Sequence, residues 1–313
     1  MSKISYSAWS KFMLCPSMYD IHYNKDLEPE QTTSSLMFGS AIDTALNELY
    51  KSNANPVDVF KENFKYEQME SVVFHRKDLS RSIFTQSQLE DINGKDDQYV
   101  SWAALRVRGR VLLEHYMETV FPMITKVVGV QKELNGRKGF TDLIAHVNNS
   151  DKPILIDHKC SYYEYSQEAA STGPQLALYA NEEGIEDVAY CVLLKDIRTS
   201  KMKRCIKCGN ETNSSHKTCN KETDGGRCHG NWEFEVVYHP AIQWIQGRPS
   251  EHMKETMIDS IRAAEELIEL YNSKNRNYPR NYSTCDFVYG RKCEYYNFCH
   301  YKNETGLTKR RKK

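Results

Sequence analysis

The segment ILIDHKC, residues 154–160, sets a carboxylate and an ammonium two positions apart in an apolar run. Alternate residues of an extended chain share a face, so Asp157 and Lys159 project together while His158 points to the opposite side. An acid and a lysine on an apolar strand cost free energy to bury unless they serve something. A second carboxylate, Asp142, ends the run GFTD just upstream. If that run is the neighbouring strand, the two carboxylates converge on one divalent cation, and hard oxygen ligands suit Mg²⁺ or Mn²⁺. The bland alternative is an Asp157–Lys159 ion pair on a partly exposed strand, with Asp142 as a turn residue. Glu133, on the strand before GFTD, reads as a solvent-facing residue rather than a ligand.

The ten cysteines offer two further metal-binding patterns. Cys205, Cys208, Cys219 and Cys228 are spaced C-x2-C-x10-C-x8-C, and the CxxCG opening has the form of a zinc knuckle. Four such thiolates make a structural Zn²⁺ ribbon, with His216 or His229 able to replace one of the later cysteines. Lys201, Lys203, Arg204, Lys207 and Lys217 surround it and either touch nucleic acid or simply solvate a loop. Cys285, Cys293 and Cys299 form C-x7-C-x5-C, and Cys15 brings that set to four. Zinc suits these four as well, and without metal they read as cysteines packed at an aromatic-rich helix end. Cys160 and Cys191 sit on apolar strands and read as core.

The elements that position these residues follow from periodicity and breakers. A short helix over 5–15 has Ser5 or Ser7 as N-cap and stops at Pro16; a second covers 36–50. Residues 51–120 read as helical, with Val100, Ala104, Val107 and Val111 as one apolar stripe. Strands follow at 124–134, 139–147 and 153–159, joined by the turn-like NGRKG and NNSDKP. Thr172 is placed to cap a helix opening with Pro174. Strands at 189–196 and 232–239 flank the CxxC ribbon, which puts it at a hairpin tip. A last helix from 250 to 272 carries Met257, Ile261, Ala264, Ile268 and Tyr271 on one face. Helices, strands, helix, strands, helix predict an α/β fold with a mixed central sheet.

The opening SYSAWSKFMLCPSMYDIHY, then FGSAIDTAL, GFTD, IDHK, PQLALY and the late cysteines follow one another in order. In that order they resemble the PD-(D/E)XK nuclease superfamily, and more narrowly its RecB-like exonuclease branch, which includes helicase-associated recombination nucleases and CRISPR-adaptation exonucleases. The resemblance implies a restriction-endonuclease-like core with a mixed sheet flanked by helices. It implies Asp142, Asp157 and the backbone carbonyl of His158 as metal ligands. Lys159 would orient or deprotonate the attacking water, and Gln175 and Tyr179, four apart on a helix, would support the site or the substrate strand. The family's first motif usually brings a histidine to the metal; Asp43 stands there and can ligate Mg²⁺ or Mn²⁺. Gly39, one turn earlier, would let its helix approach closely. Cys15, Cys285, Cys293 and Cys299 resemble the branch's 4Fe–4S staple, which joins the two ends of the domain; the gap between the first two late cysteines is longer than in the family.

The domain plan that results is a nuclease domain over 1–300, with a helical region at 51–122 and a zinc-ribbon insertion at 200–231, then a basic tail at 301–313. The chain has 313 residues, 40% of them hydrophobic, and a formal net charge of zero, so overall charge gives no argument for nucleic acid. The terminal Lys309, Arg310, Arg311, Lys312 and Lys313 either touch phosphates or stay solvated. No apolar run long enough for a membrane span or a signal peptide is present, so a cytoplasmic location is expected, where thiols stay reduced. The expected activity is metal-dependent DNA exonuclease action on single strands or duplex ends, in recombination, repair or phage DNA processing. The competing readings are a non-cleaving DNA-binding scaffold and a structure-specific endonuclease. No Walker phosphate-binding motif occurs, so a helicase could act only as a partner.

Overall fold

In the computed structural model residues 3–212, 216–285 and 292–310 are described. Five long strands form the central sheet: β4 (Ile124–Glu133), β5 (Phe140–Val147), β6 (Ile154–Ser161), β7 (Asp187–Cys205) and β11 (Trp232–Gly247), in the order β11-β7-β6-β5-β4. Only β6 and β7 run parallel among these neighbours, so the sheet is mixed. A parallel pair needs a crossover, and α7 (Ala169–Thr172) with α8 (Pro174–Glu183) provides it.

The strands bury both faces, and the alternation separates two cores. Leu143, Ala145, Ile154, Ile156, Ala189, Cys191 and Leu193 face α3 (Ser34–Ser52), α4 (Pro56–Asn63) and α6 (Asp97–Thr119). Ile144, Leu155, Val188, Tyr190, Val192 and Leu194 face α1 (Tyr6–Leu14), α8 and α9 (Glu251–Ser273). Cys191 is fully buried and Cys160 packs beside it, both as core residues. Ser5 caps α1, Thr33 caps α3 and Ser250 caps α9, each accepting from a backbone N–H of the first turn.

Several expectations need correction. The stretch 51–122 is helical only in α4, α5 (Gln86–Asp91) and α6. Between α4 and α5 the chain is irregular apart from one 3-10 turn and β3 (Val72–Val73), which pairs with β2 (Thr32–Thr33). There, tertiary bonds to Asp78 replace helical ones: its carboxylate accepts from the Ser34 hydroxyl at 2.6 Å and the His75 N–H at 2.7 Å. The stripe on α6 is only half its buried surface, because Leu105, Leu112, Leu113 and Tyr116 on another face enter the sheet core. Thr172 does not cap α8. Its hydroxyl donates to the Glu168 carbonyl, and Gly173 occupies the cap position.

The β7–β11 hairpin is longer than the expected strands at 189–196 and 232–239: β7 runs outward to Cys205, where ladder bonds rather than apolar burial hold it, and β11 runs inward to Gly247. It pairs continuously from Val188↔Gly247 to Cys205↔Trp232 apart from one irregularity between His239 and Ala241. Pro240 sits at that irregularity, where a missing N–H does least harm. At the tip lie β8 (Glu211–Thr212), β9 (Glu222–Thr223) and β10 (Gly226–Arg227).

The two ends of the chain meet. β1 (Leu27–Pro29) pairs antiparallel with β12 (Leu307–Lys309), and Arg310 reaches Asp26 at 3.2 Å. The basic terminal run therefore begins inside the fold; Arg311, Lys312 and Lys313 lie outside the described residues. α2 (Pro16–Tyr19) and α10 (Tyr296–Tyr301) pack in the same small core.

One buried ion cluster fastens the amino terminus to the sheet. Glu265 on α9 accepts from the Ile4 N–H at 2.8 Å and pairs with Arg137, whose side chain is 6% exposed. Removing Glu265 would leave Arg137 with Glu182 at 3.4 Å and the Ile4 N–H without its acceptor, a loss at the lower end of the about 3–5 kcal/mol of a fully broken buried pair. Glu265→Ala is therefore expected to destabilise the fold by about 3 kcal/mol, read as a lower urea midpoint; an unchanged midpoint would deny the cluster its structural role.

Candidate active site and metal centres

The ladder between β5 and β6 is short. Its rungs are Leu143↔Ile156, Ile144↔Leu155 and Ala145↔Ile154. Beyond Leu143 and Ile156, β5 continues against β4 and β6 against β7, so the two strands part. The first residues past the last rung are Asp142 and Asp157. The His158 N–H, having no ladder acceptor on β5, donates to Asp142 Oδ2 at 2.8 Å. The carboxylate is thus fixed at the fork by the backbone of the strand that carries the other acid.

Lys159 shares the face of Asp157. Its Nζ lies 2.6 Å from Asp157 Oδ2 and donates to Gln175 Oε1 at 3.2 Å. The Lys159 ammonium is the partner of that buried Asp157 oxygen. Gln175 opens α8, and Tyr179, one turn on, makes a side-chain hydrogen bond to it. Gly139 has φ +148°, and a Cβ there would lie 3.0 Å from Leu134 and 3.5 Å from the Tyr179 hydroxyl.

Asp43 enters from α3 on the other layer. Its carboxylate accepts from Asn47 Nδ2 at 3.1 Å and from Gln131 Nε2 at 3.5 Å, and it feels the charges of Asp157 and Lys159. Gly39 was expected to permit close helix approach, but a Cβ there would meet nothing within 4 Å; the helix is placed by Phe38, Ile42 and Ala45 in the core instead. His158 points away, as alternation requires. Its Nε2 meets the Tyr116 hydroxyl at 3.0 Å, and Tyr116 meets Tyr50 at 2.8 Å. Burial, and then Lys159, push the His158 imidazole down to about 3, so it is neutral.

Three acids therefore crowd one buried place. Burial first, and then Asp157 and Asp43, push the Asp142 carboxyl up to about 8. Burial also raises Asp157 and Asp43. Burial alone would lower Lys159, but Asp157 beside it leaves the ammonium held above its ordinary range. One lysine cannot balance three carboxylates, and the set of carboxylate oxygens from Asp142, Asp157 and Asp43 fits a hard divalent cation. Asn47, Gln131, Tyr116 and Tyr190 were not foreseen. Asn47 is legible in hindsight at i+4 from Asp43. Gln131 is not, since it depends on a left-handed φ of 48°. Tyr190 lies opposite Asp157 in the β6–β7 register, its ring 6.0 Å from Lys159 Nζ. Glu133 is exposed.

At the hairpin tip the sulfurs of Cys205, Cys208, Cys219 and Cys228 all lie within 4.8 Å of one another and could hold a metal ion. Cys205 and Cys228 are 3.5 Å apart, Cys208 and Cys219 3.6 Å. Zn–S bonds of about 2.3 Å in a tetrahedron require sulfur separations of about 3.8 Å, so the set fits a single zinc ion. The four cysteines suffice without His216 or His229. A Cβ on Gly230 would come within 2.6 Å of the Cys205 sulfur, which explains the glycine. Residues 213–215 of the ribbon lie outside the described residues.

Cys15, Cys285, Cys293 and Cys299 are all buried and come together where the chain ends meet. The Cys293 N–H donates to the Cys285 carbonyl at 2.9 Å, and the Asn281 N–H points at Cys15 Sγ at 3.4 Å. Burial raises Cys293 to about 11, followed by the charges of Cys299, Glu294 and Cys15. Burial also raises Cys299, with Cys15 and Cys285 adding to it. Among the described residues these four do not form as tight a group as the ribbon set. Residues 286–291, between Cys285 and Cys293, lie outside the described residues.

A mixed sheet carrying paired carboxylates and a lysine at a strand fork defines an α/β protein with a place built for a hard divalent cation. The profile of the PD-(D/E)XK nuclease superfamily matches residues 3–303, and the chain belongs to that superfamily, whose members are typically metal-dependent nucleases. Among solved structures, one titled "Crystal structure of SSO0001" aligns over 76% of this chain and 92% of its own at 18% identity, with a TM-score of 0.27. A superposition of that quality carries no argument. No curated protein matches the chain. No helix among the described residues is long and apolar enough to cross a membrane.

A carboxylate raised in the folded state makes stability depend on pH. Between the ordinary 3.8 and about 8, folded Asp142 keeps a proton that the unfolded chain has lost. Without divalent cation, stability should therefore fall as pH rises through that window and level off above it. Asp142→Asn keeps the acceptor for His158 without the charge. It is expected to flatten the fall and to be the more stable protein near pH 8. Denaturation midpoints of both proteins from about pH 5 to about pH 9, in metal-free buffer, test this; parallel curves would refute it.

Proposed function

We propose that this chain is a divalent-metal-dependent DNA exonuclease of the RecB-like branch, acting on single-stranded or duplex ends in recombination, repair or phage DNA processing. The observation that carries the reading is the meeting of Asp142, Asp157, Asp43 and Lys159 at the fork between β5 and β6. A decayed site kept only as a scaffold would not be expected to retain every charged member of this set. The carboxylates of Asp142, Asp157 and Asp43 and the backbone carbonyl of His158 would hold Mg²⁺ or Mn²⁺, which when bound supplies Lewis acidity at a phosphate oxygen. Lys159, held between Asp157 and Gln175, orients the attacking water and balances negative charge developing on the phosphate. Gln175 fixes the lysine, and Tyr179 fixes Gln175. The substrate phosphodiester is attacked in line and its 3′ or 5′ oxygen leaves. A helicase or recombination partner would present the end; residues 1–313 carry no Walker phosphate-binding motif.

The two cysteine sets play structural parts in this proposal. Cys205, Cys208, Cys219 and Cys228 hold Zn²⁺ and stiffen a hairpin tip too small for a core of its own. Cys15, Cys285, Cys293 and Cys299 hold a 4Fe–4S cluster, a larger body than a single ion and so compatible with their looser grouping. Metal analysis of anaerobically purified protein separates the two. Cys219→Ser is expected to lose zinc and keep iron and brown colour; Cys293→Ala is expected to do the reverse. Iron retained by Cys293→Ala would remove the terminal site from the proposal.

The activity is tested by digestion of end-labelled linear single strands, linear duplex and circular DNA with Mg²⁺, Mn²⁺ or chelator. Cleavage confined to the linear molecules, abolished by chelator and reduced at least about 100-fold by Lys159→Ala, is expected. Cutting of circles would make the enzyme an endonuclease. Absence of any cleavage by fully metallated protein would transfer the proposal to a DNA-binding scaffold.

A further inference from the structure

Just past the catalytic strand the chain carries two tyrosines with different fates. Tyr162 is half-buried, and its hydroxyl donates to the Asp78 carboxylate and accepts from Arg108 Nη1 at 3.1 Å. Tyr163 is 66% exposed, an unusual position for a large ring four residues from Lys159. Lys77 stands over that ring, its Nζ 4.2 Å from the centroid, and also 5.6 Å from the Tyr162 centroid. The His75 ring stacks on Tyr162 at 5.7 Å.

Beneath this surface lie two buried cations. Arg108 is 5% exposed and Lys195 is 2% exposed. Among the described residues neither forms an ion pair. Arg108 donates to the Asp78 carbonyl and to Tyr162, while its buried Nε has no hydrogen-bond partner. Lys195 donates to Ser35 at 3.1 Å and lies 4.2 Å from the Tyr162 centroid. The nearby carboxylate, Asp78, is spent on Ser34, the His75 N–H and Tyr162. Two buried cations beside one carboxylate, whose charge favours Lys195 without forming an ion pair, leave a positive potential that an arriving anion would relieve. The site is adjacent to the metal ligands: Cys160 is within electrostatic reach of Lys195, Asp43 and Lys159.

We infer that Tyr163 is a stacking platform for an unpaired base of the substrate strand, and that Lys77, with the positive potential of Arg108 and Lys195 beneath it, holds the adjoining phosphate. This rests on the reading of the chain as an enzyme of DNA ends. It adds that the strand reaching the fork is single at that point. An exposed aromatic face backed by cations suits an unpaired nucleotide, because every base has a π-face and every nucleotide a charge. A duplex end hides its base faces in its own stack.

The test is equilibrium binding, so it does not depend on cleavage. Fluorescent oligodeoxythymidine, an abasic strand of the same length and a blunt duplex are titrated into Lys159→Ala protein with and without changes at Tyr163 and Lys77. Stacking of one base is worth about 1–3 kcal/mol, so Tyr163→Ala is expected to weaken oligodeoxythymidine binding about 10-fold. It should leave abasic and duplex binding unchanged, and Tyr163→Phe should restore the affinity. Lys77→Ala should weaken both single strands and lower the salt slope by about 0.7. Wild-type-like affinity of Tyr163→Ala for oligodeoxythymidine, or an equal loss on the abasic strand, would overturn the platform. Absence of cleavage by the protein with Lys159 in place would count against the exonuclease proposal alone.

Discussion

Everything at the candidate site depends on β5 and β6 ceasing to pair after Leu143 and Ile156. A continued ladder would direct the His158 N–H to a backbone carbonyl and close the space between the strands. Because they part, the Asp142 carboxylate takes that N–H instead. The donor that would otherwise be left unpaired is satisfied, which a buried amide requires. The same bond points a second acid toward Asp157. The fork is kept open by the outer partners, since β4 holds β5 and β7 holds β6 through the divergence. β6 is also pinned from both faces. Lys159 is tied through Gln175 to α8, and His158 through Tyr116 and Tyr50 to α6 and α3. A strand fixed in this way can hold like charges near one another without moving apart.

Why such a concentration of charge is tolerated follows from its composition. Asp142, Asp157 and Asp43 all have carboxyls raised by burial, and the first is raised further by the other two. Lys159 relieves one of them. Without a cation the remaining charge is dealt with by retaining protons; with a cation it is dealt with by ligation, and hard oxygens suit the small divalent ions. The protein has thus accepted a less stable fork in exchange for a site whose demand for positive charge is strong. His158 takes no part in this balance, because its ring lies in the opposite core and is neutral.

The pattern of residues carried the centre of the fold but not its frame. Asp142, Asp157 and Lys159 were legible because strand alternation and a short turn suffice to bring them together. The ribbon cysteines were legible because their spacing is local. The cap Ser5, one of two candidates with Ser7, and the stripe on α9 were equally local. What could not be read depended on contacts distant in sequence. The loop around Asp78 looked helical because the tertiary donors to its carboxylate, the Ser34 hydroxyl and the His75 amide, are invisible to periodicity. The outer half of β7, beyond Asp196, lacks an apolar face and so lacked a strand signal, whereas on β11 the outer half 232–239 was read as a strand and the inner half 240–247 was not. Gln131 reaches Asp43 only through a backbone conformation that glutamine rarely adopts. Gly39 was read by motif position, and the space around it shows that position alone did not justify the role.

The meeting of the chain ends bears on what a cluster at the four terminal cysteines would contribute. A cross-link stabilises mainly by shortening the unfolded chain, and a loop of nearly the whole molecule gains most. Yet the ends are already joined by other bonds. Ser17 N–H donates to the Pro279 carbonyl at 3.0 Å, Asn281 Nδ2 to the Leu14 carbonyl at 3.0 Å, and Arg310 N–H to the Asp26 carbonyl at 2.8 Å. β1 and β12 add a short ladder, and Tyr295 is fully buried between them and α2, with Met18 and Ile21 in the same core. Ligation at Cys15, Cys285, Cys293 and Cys299 would therefore act on a junction that the polypeptide has begun to close. Its gain would be chain entropy removed from the unfolded state, set against the cost of deprotonating thiols that burial raises. The same apolar shell would shield ligated thiolates from solvent and oxidant. The junction of the ends and the fork of β5 and β6 are linked through α1, whose residues pack on α9 and on the strand face that carries Asp157.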